Sequence, residues 1–192
     1  MVGRNLTFTQ TRAGLSNLET AKYFIETHSK VCATEKDVIN FWYSFMEQKY
    51  LKEINFVSGA EKFLKTLKKI GYKLVLATAT GKELLLKAFK KFKIEKYFDL
   101  IICEEEVGKS KKYPNIYLEI FKKLEVLPQE CLYFEDSLIA VKTASSLGVD
   151  CVAIINDLNK KSLEEFNKNC VKTIENYNIN LIEDLGLQKE NV

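Results

Sequence analysis

Three short polar stretches each follow an apolar run in the sequence, and their residue types suit the binding of a phosphoryl group. Thr78 and Ala79 follow the first of these runs. Hydroxyl and backbone N–H groups at such a strand-to-helix turn can bind phosphate oxygens. The stretch after the second run is rich in lysine, which could offset phosphate charge. Glu135 and Asp136 follow the third run, and paired carboxylates suit a hard cation such as Mg²⁺.

Each stretch also has a plainer interpretation. The threonines after the first run could simply cap the next helix. Lys109, Lys111 and Lys112 could all be solvated loop residues, and their spacing alone does not choose among them. Asp136 could be a loop acid beside the start of a helix. A hydroxyl, a lysine and an acidic pair on successive strands are nevertheless more specific together than singly, because together they describe a phosphoryl site.

The elements that would position these residues alternate between strand and helix from about residue 56 onward. Each apolar run is short and apolar on both faces, which is typical of a parallel sheet covered by helices. In such sheets ligands bind at the carboxyl ends of the strands. The predicted fold class is therefore α/β, with a Rossmann-like parallel sheet. Strands are predicted at 72–77, 100–103, 132–134 and 151–155, with a possible short one at 171–174.

Start and stop signals place helices between these strands. Ser58 and Glu61 have the spacing of a capping box, which predicts a helix from there to residue 70. Further helices are predicted at 82–93 and from Pro114 onward, because proline favours the first helical turn. A last one is predicted at 138–147, capped by the hydroxyl of Ser137.

Residues 1–54 contain no convincing strand run and are predicted to form a small helical unit. One helix is predicted at 18–31. Thr34 and Asp37 form a variant of the capping box that opens a second helix. Its apolar stripe is interpreted as packing between helices, and the single histidine, His28, as a surface residue. The stripe comprises Val38, Phe41, Trp42, Phe45 and Met46.

Bulk composition excludes several classes of protein. The chain has 192 residues and a net charge of only +3, and its lysines are interspersed with acids, so we expect no nucleic-acid partner. No run of about 18 apolar residues occurs, so we expect no membrane span. The five cysteines have no C-x-x-C spacing, which favours a reducing, cytoplasmic location over a disulfide scaffold. The oligomeric state stays open.

At its motifs the chain resembles the haloacid-dehalogenase-like hydrolase superfamily, in the branch that contains β-phosphoglucomutase, phosphoglycolate phosphatase and pseudouridine-5′-phosphatase. The resemblance covers about residues 54–155 and rests on the segments 57–64, 74–80, 111–117 and 134–137. In the third segment Lys112 and Asn115 replace the family's usual proline and aspartate.

The resemblance implies an Mg²⁺-dependent phosphatase or phosphomutase that acts on a small phosphorylated metabolite. Residues 1–54 would be most of a helical cap domain that selects the substrate, and residues 55–192 the α/β core. Lys111 takes the place of the motif lysine, in preference to Lys109. The implied site residues are Thr78 and Lys111 as catalytic groups, Thr78, Ala79 and Lys111 on phosphate, and Asp136 and Glu135 on Mg²⁺.

One departure from the family pattern matters most. The family's first motif is a central strand ending in D-x-D, whose first aspartate is the nucleophile and whose second is the general acid and base, and no D-x-D occurs in this sequence. Without that strand its neighbours should stand about 9–10 Å apart or close up and pair, and the native site should not survive intact. We expect either an enzyme truncated before its nucleophile or a catalytically inactive binding or regulatory module; an unrelated binding module is a further alternative.

Overall fold

The structure, a computed structural model, describes residues 15–28, 32–53 and 55–187. The predicted N-terminal helical unit is therefore described only in part. The first helix, predicted at 18–31, ends at Thr27, so its predicted end is wrong; residues 29–31 lie outside the described residues.

Helices and strands alternate along most of the described chain, which confirms the predicted α/β class. The α-helices are α1 (Asn17–Thr27), α2 (Glu35–Lys52), α3 (Ala60–Lys69), α4 (Lys82–Phe92), α5 (Glu104–Val107), α6 (Asn115–Leu124), α7 (Leu138–Ser146), α8 (Leu163–Asn169) and α9 (Asn180–Asp184). The strands are β1 (Val75–Thr78), β2 (Leu100–Cys103), β3 (Leu132–Glu135), β4 (Asp150–Ile154) and β5 (Lys172–Ile174). Single turns of 3₁₀ helix lie at Glu95–Tyr97, Pro128–Glu130 and Lys160–Ser162.

The parallel sheet is divided into two ladders. Strand β1 pairs with β2, and Thr78 lies opposite Cys103 at the carboxyl end of this pair. Strands β3, β4 and β5 form the second ladder, in which Glu135 lies opposite Ala153. Within the described residues no strand pairing joins β1 to β3. In the described residues the sheet has therefore not closed up by pairing β1 with β3, and the width of the expected gap stays a prediction.

Two hydrophobic cores hold the two ladders together. Ala77 from one ladder and Tyr133 from the other pack against a core built from β2, β4, α6, α7 and α8. Phe134, next to Tyr133 in β3, packs into the second core with Leu74. Successive strand residues point to opposite faces, so the two cores lie on opposite faces of the divided sheet. Helices α3 and α9 supply the buried residues Phe63, Leu67, Leu181 and Ile182 to the second core.

The helix caps follow the sequence signals unevenly. The Thr34 capping box is confirmed, because the Asp37 amide donates to Thr34 Oγ1 at 3.2 Å and the Thr34 amide donates to Asp37 Oδ2 at 2.9 Å. Ser137 does precede α7, but its hydroxyl makes no capping bond, so that prediction is wrong. Its backbone amide donates instead to Glu135 Oε1 at 3.0 Å, which ties the helix start to the acidic pair.

The aromatic stripe on α2 is only partly a packing surface. Val38 is buried, as expected for a residue between helices. Phe41 and Phe45 are 69% and 56% exposed, so the interpretation as packing residues is wrong for these two. His28 is exposed as predicted, and its ring stacks on Phe24 with 4.5 Å between ring centroids.

All five cysteines are free in the structure. Among the described helices, none combines the length and the apolar character needed to cross a bilayer.

The start of α3 depends on a glycine that the sequence pattern did not single out. The predicted Ser58 capping box is wrong, because Gly59 is the residue that precedes the helix, with φ of 78°. A Cβ atom on Gly59 would lie 1.6 Å from the carbonyl oxygen of Tyr177. The backbone here therefore needs both the left-handed conformation and the absence of a side chain.

We predict that Gly59→Ala lowers the free energy of unfolding by about 3 kcal/mol, because backbone strain and the clash with Tyr177 add. Gly108→Ala is the matched control, since Gly108 also has positive φ, 68°, but open space around its Cβ position. The control should lose only about 1 kcal/mol. Urea denaturation of both variants measures the difference, and equal losses would contradict the close approach to Tyr177.

Candidate functional site

Lys111 is held at three of its atoms by residues from different parts of the chain. Its amide donates to Glu104 Oε1 at 2.8 Å, and its carbonyl oxygen accepts from the Tyr117 hydroxyl at 3.2 Å. Its side-chain Nζ donates to Glu135 Oε2 at 2.5 Å. The ammonium group of Lys109 lies instead over the ring of Tyr113, 5.3 Å from the centroid. The structure thus supports Lys111 over Lys109 as the lysine that reaches the strand ends.

Glu135 is a buried carboxylate with every oxygen engaged. The Tyr133 hydroxyl also donates to Oε2, and the amides of Asp136 and Ser137 donate to Oε1 at 3.2 and 3.0 Å. Burial alone would raise the pKa of Glu135, but the ammonium of Lys111 and these hydrogen bonds outweigh it, so the pKa is lowered. Glu135 is therefore ionised at neutral pH and paired with Lys111.

Asp136 is the open member of the acidic pair. The residue is exposed, and its Oδ2 accepts a long hydrogen bond of 3.4 Å from Asn156 Nδ2. Partial desolvation raises the pKa of the Asp136 carboxyl, and the neighbouring Glu135 carboxylate raises it further. Two adjacent carboxylates that repel each other would be stabilised by a cation between them.

The donors at this strand end fit Mg²⁺, which in proteins is bound by one or two carboxylates together with water and phosphate oxygens. Asp136 has a carboxylate free for such a role, whereas Glu135 would have to share oxygens already used by Lys111 and Tyr133. Within the described residues no cluster of three or more potential ligands is arranged for a metal. Asp136 and Glu135 are the carboxylates that this strand end offers to the ion, and Glu135 as a ligand stays a prediction.

Thr78 ends β1 at the turn that leads into α4. Its Oγ1 accepts a hydrogen bond from the Thr80 amide at 3.0 Å, which leaves the hydroxyl proton available for an anionic oxygen. Among the described contacts no hydrogen bond or ion pair links Thr78 or Ala79 to Lys111 or Asp136. The structure therefore groups Lys111, Glu135 and Asp136, and convergence with Thr78 on one phosphoryl group stays a prediction.

The helices α1 and α2 contact the same turn. Asn17 Nδ2 donates to the Ala79 carbonyl oxygen at 2.9 Å and to the Tyr43 hydroxyl at 3.1 Å. A Cβ atom on Gly81 would lie 2.2 Å from the Tyr43 hydroxyl oxygen, so a larger residue here would displace the Tyr43 side chain. Glu105 Oε1 accepts from the Lys82 amide at 2.9 Å at the start of α4. The conformation of the turn thus depends on the N-terminal helices as well as on the core.

Several residues of the site were not found from the sequence. Tyr133 precedes Glu135 by two residues in β3, and residues two apart in a strand point to the same face. Its position beside Glu135 could therefore have been predicted from the sequence. Tyr117 is buried in α6, and its hydroxyl donates to the Ala140 carbonyl oxygen at 3.1 Å. Glu104 gave no signal, because its burial depends on tertiary packing.

Glu104 is the least expected of these residues. Its side chain is only 6% exposed, and one oxygen, Oε2, is buried without a hydrogen-bond partner in the described structure. Burial raises the pKa of Glu104, although the Lys111 amide and ammonium act in the opposite direction. The negative charges of Glu19 in α1 and of Glu135 raise it further.

Comparison with known proteins gives this arrangement a context. The family model described as haloacid dehalogenase-like hydrolase matches residues 7–154. The chain belongs to this haloacid dehalogenase-like family. The match spans the helices α1 and α2 and the strands β1 to β4, so these two helices are part of the family's own sequence pattern.

The chain is similar to one known protein over about half of its sequence and to two solved structures over most of its fold. The phosphorylated carbohydrates phosphatase of Thermotoga maritima is 36% identical over 102 residues, which are 53% of this chain and 47% of that protein. CbbY from Rhodobacter sphaeroides, solved with phosphate, has a TM-score of 0.77 at 19% identity, covering 92% of this chain and 78% of that one. A β-phosphoglucomutase from Clostridium difficile has a TM-score of 0.70 at 20% identity, covering 93% and 80%.

Sequence similarity and structural similarity support different conclusions here. At this identity the solved structures show the fold alone, and they agree with the predicted Rossmann-like architecture. The chain spans about half the length of the Thermotoga phosphatase.

Lys111 should be the lysine on which this haloacid dehalogenase-like fold depends most. We predict that Lys111→Met lowers the free energy of unfolding by about 3 kcal/mol at pH 7, because it leaves Glu135 buried without its partner. Lys109→Met removes an exposed lysine of the same loop and should change it by less than about 0.5 kcal/mol. Guanidinium denaturation compares the two, and a similar loss in both would show that the Lys111–Glu135 ion pair does not form.

Glu104 should make stability depend on pH in the direction opposite to that of a paired carboxylate. Its folded pKa is raised above the ordinary value of 4.5, so the free energy of unfolding falls as pH rises above 4.5 through the folded pKa. Glu104→Gln has no proton to lose at this position. We expect it to gain about 1 kcal/mol over the wild type at pH 7, and less at pH 4. Denaturation at both pH values measures this, and a gain that grows toward low pH would contradict it.

Proposed function

We propose that the chain carries the phosphate-binding and metal-binding part of an Mg²⁺-dependent phosphomonoester phosphatase or phosphomutase. The observation that supports this most is the grouping of Lys111, Glu135 and the open carboxylate of Asp136 at the carboxyl end of β3. Family membership and the phosphatase activity in the name of the Thermotoga relative agree with this reaction class.

Each residue has a role that follows from its contacts. The Thr78 hydroxyl, already accepting from the Thr80 amide, would donate its proton to a phosphoryl oxygen, and the Ala79 amide would donate to another. The Lys111 ammonium would lie against the phosphoryl group and reduce its charge. Because Glu135 fixes this ammonium, little reorganisation would be needed when phosphate binds.

The acidic pair would hold the metal ion, with Asp136 as the first ligand and Glu135 as the second. Mg²⁺ bound there would supply positive charge to the phosphoryl oxygens. Tyr133 would keep Glu135 oriented while its oxygens are shared, since burial raises the pKa of Tyr133 well above its usual value and so keeps the hydroxyl protonated.

The nucleophile would come from a segment that these 192 residues do not contain. The sequence has no D-x-D, and strands β1 and β3 leave their facing edges unpaired in the described structure. A strand placed between them would bring its carboxyl end beside Thr78 on one side and Glu135 on the other. A nucleophilic aspartate at that end would face both the phosphate and the metal.

The substrate would be a small phosphorylated metabolite. The helices α1 and α2, which we assign to a cap domain within residues 1–54, would select it, because they contact the turn at Ala79 and Gly81. A cytoplasmic location would suit the five free cysteines and a metabolite of this kind.

The proposal predicts a strong effect of Asp136 in an active protein. In a longer chain, with a strand ending in D-x-D before residue 1, Asp136→Asn should lower kcat/KM for p-nitrophenyl phosphate at least about 100-fold, because the metal loses its open ligand. Asp157→Asn is the control, since Asp157 is 93% exposed and forms a surface ion pair with Lys160. It should stay within about twofold of the wild type. Wild-type turnover by the Asp136 variant with Mg²⁺ would rule the assignment out.

A second candidate function is a non-catalytic module that binds phosphate or a regulatory partner. The absence of D-x-D favours it. The two functions differ in what the 192-residue chain does alone. Phosphatase turnover by this chain, abolished by Lys111→Ala, would exclude the non-catalytic module.

A further inference from the structure

We propose that Glu104 is the positioning residue that sets Lys111 in place for phosphate binding. Its effect on phosphate binding rests on the proposed function. The positioning of Lys111 by Glu104 does not depend on that function. Glu104 binds the backbone of Lys111, and Glu135 binds the side chain, so the lysine is fixed at both ends.

The position of Glu104 suits this role. It is the first residue of α5, directly after the carboxyl end of β2, and Lys111 follows seven residues later. The intervening segment turns at Gly108, with φ of 68°, and returns toward the strand ends. The carboxylate of Glu104 closes this segment by accepting the Lys111 amide at 2.8 Å.

The neighbouring acids of the same segment do other things. Glu105 binds the amide of Lys82 at the start of α4, and Glu106 binds the amide of Cys103 at 2.8 Å. Both are more exposed than Glu104, which is 6% exposed. Of the three successive glutamates, the first is the buried one, and among the described hydrogen bonds it is the one that binds Lys111.

The buried Oε2 of Glu104 argues that this carboxylate is not there for stability alone. A buried polar atom without a hydrogen bond is costly, and an apolar residue would avoid that cost. Glu104 keeps one satisfied oxygen on Lys111 and one unsatisfied oxygen. The arrangement loses stability and gains a fixed position for the lysine.

The test compares two variants in which the new side chain is about as long as that of glutamate. Glu104→Gln keeps an oxygen for the Lys111 amide, whereas Glu104→Met does not. Trace acetylation with acetic anhydride, read by mass spectrometry, reports how firmly each lysine amine is held, and Lys109 serves as the internal reference. In the wild-type chain and in Glu104→Gln, Lys111 should react at least about tenfold more slowly than Lys109, because its ammonium is paired and largely buried.

In Glu104→Met, Lys111 should react within about threefold of Lys109, because the segment no longer holds it against Glu135. Amide hydrogen exchange at Lys111 should accelerate in the same variant and not in Glu104→Gln. Glu105→Ala is a control that removes a neighbouring acid without a contact to Lys111 and should leave both readouts unchanged. If Glu104→Met does not fold, Glu104→Asp, which is one methylene shorter, replaces it.

Slow acetylation of Lys111 in every folded variant would overturn the inference. Titration with orthophosphate in the presence of Mg²⁺ separates it from the proposed function. Glu104→Met should weaken orthophosphate binding about tenfold, and Glu104→Gln should stay within about twofold. If the wild-type chain binds no orthophosphate but Lys111 is released as described, the phosphate role fails and the positioning role stands.

Discussion

The ion pair between Lys111 and Glu135 is the interaction on which the candidate site depends. Lys111 belongs to the connection that leaves β2, in the first ladder, and Glu135 is the last residue of β3, in the second. The pair therefore joins the carboxyl ends of two ladders that share no strand pairing in the described chain. Buried ion pairs add little net stability, but losing one partner is expensive, so this one fixes geometry more than it stabilises the fold.

The divided sheet explains why such a link matters. In a continuous sheet the ladder hydrogen bonds themselves set the spacing of the strand ends. Here the spacing between β1 and β3 depends on side chains, through the core on each face and through Lys111 at the edge. Unpaired strand edges within a protein are places where another strand can add, because their backbone donors and acceptors are already aligned.

Much of this architecture could be predicted from short-range pattern, and the failures have local causes. Apolar runs in the sequence predicted every strand of the described structure, and both ends of β2 were predicted correctly. Strands buried on both faces consist almost wholly of apolar residues, which makes them easy to recognise. The Ser137 cap failed because the carboxylate of Glu135, two residues earlier, accepts the Ser137 amide. At the start of α3, Gly59 precedes the helix in place of Ser58 and lies close to the distant Tyr177. The burial of Glu104 could not be predicted from a run of three glutamates that suggests solvent exposure.

Charge balance limits what the site can bind. Glu104, Glu135 and Asp136 surround Lys111, so at neutral pH negative groups outnumber the positive one unless a carboxyl holds a proton. A phosphate dianion approaching this cluster alone would meet repulsion that the Thr78 turn can offset only in part. A divalent cation held by Asp136 would offset this excess negative charge and so allow the anion to approach. The cation and the phosphoryl group would then bind cooperatively, each raising the affinity for the other, since coupling between two ligands is reciprocal.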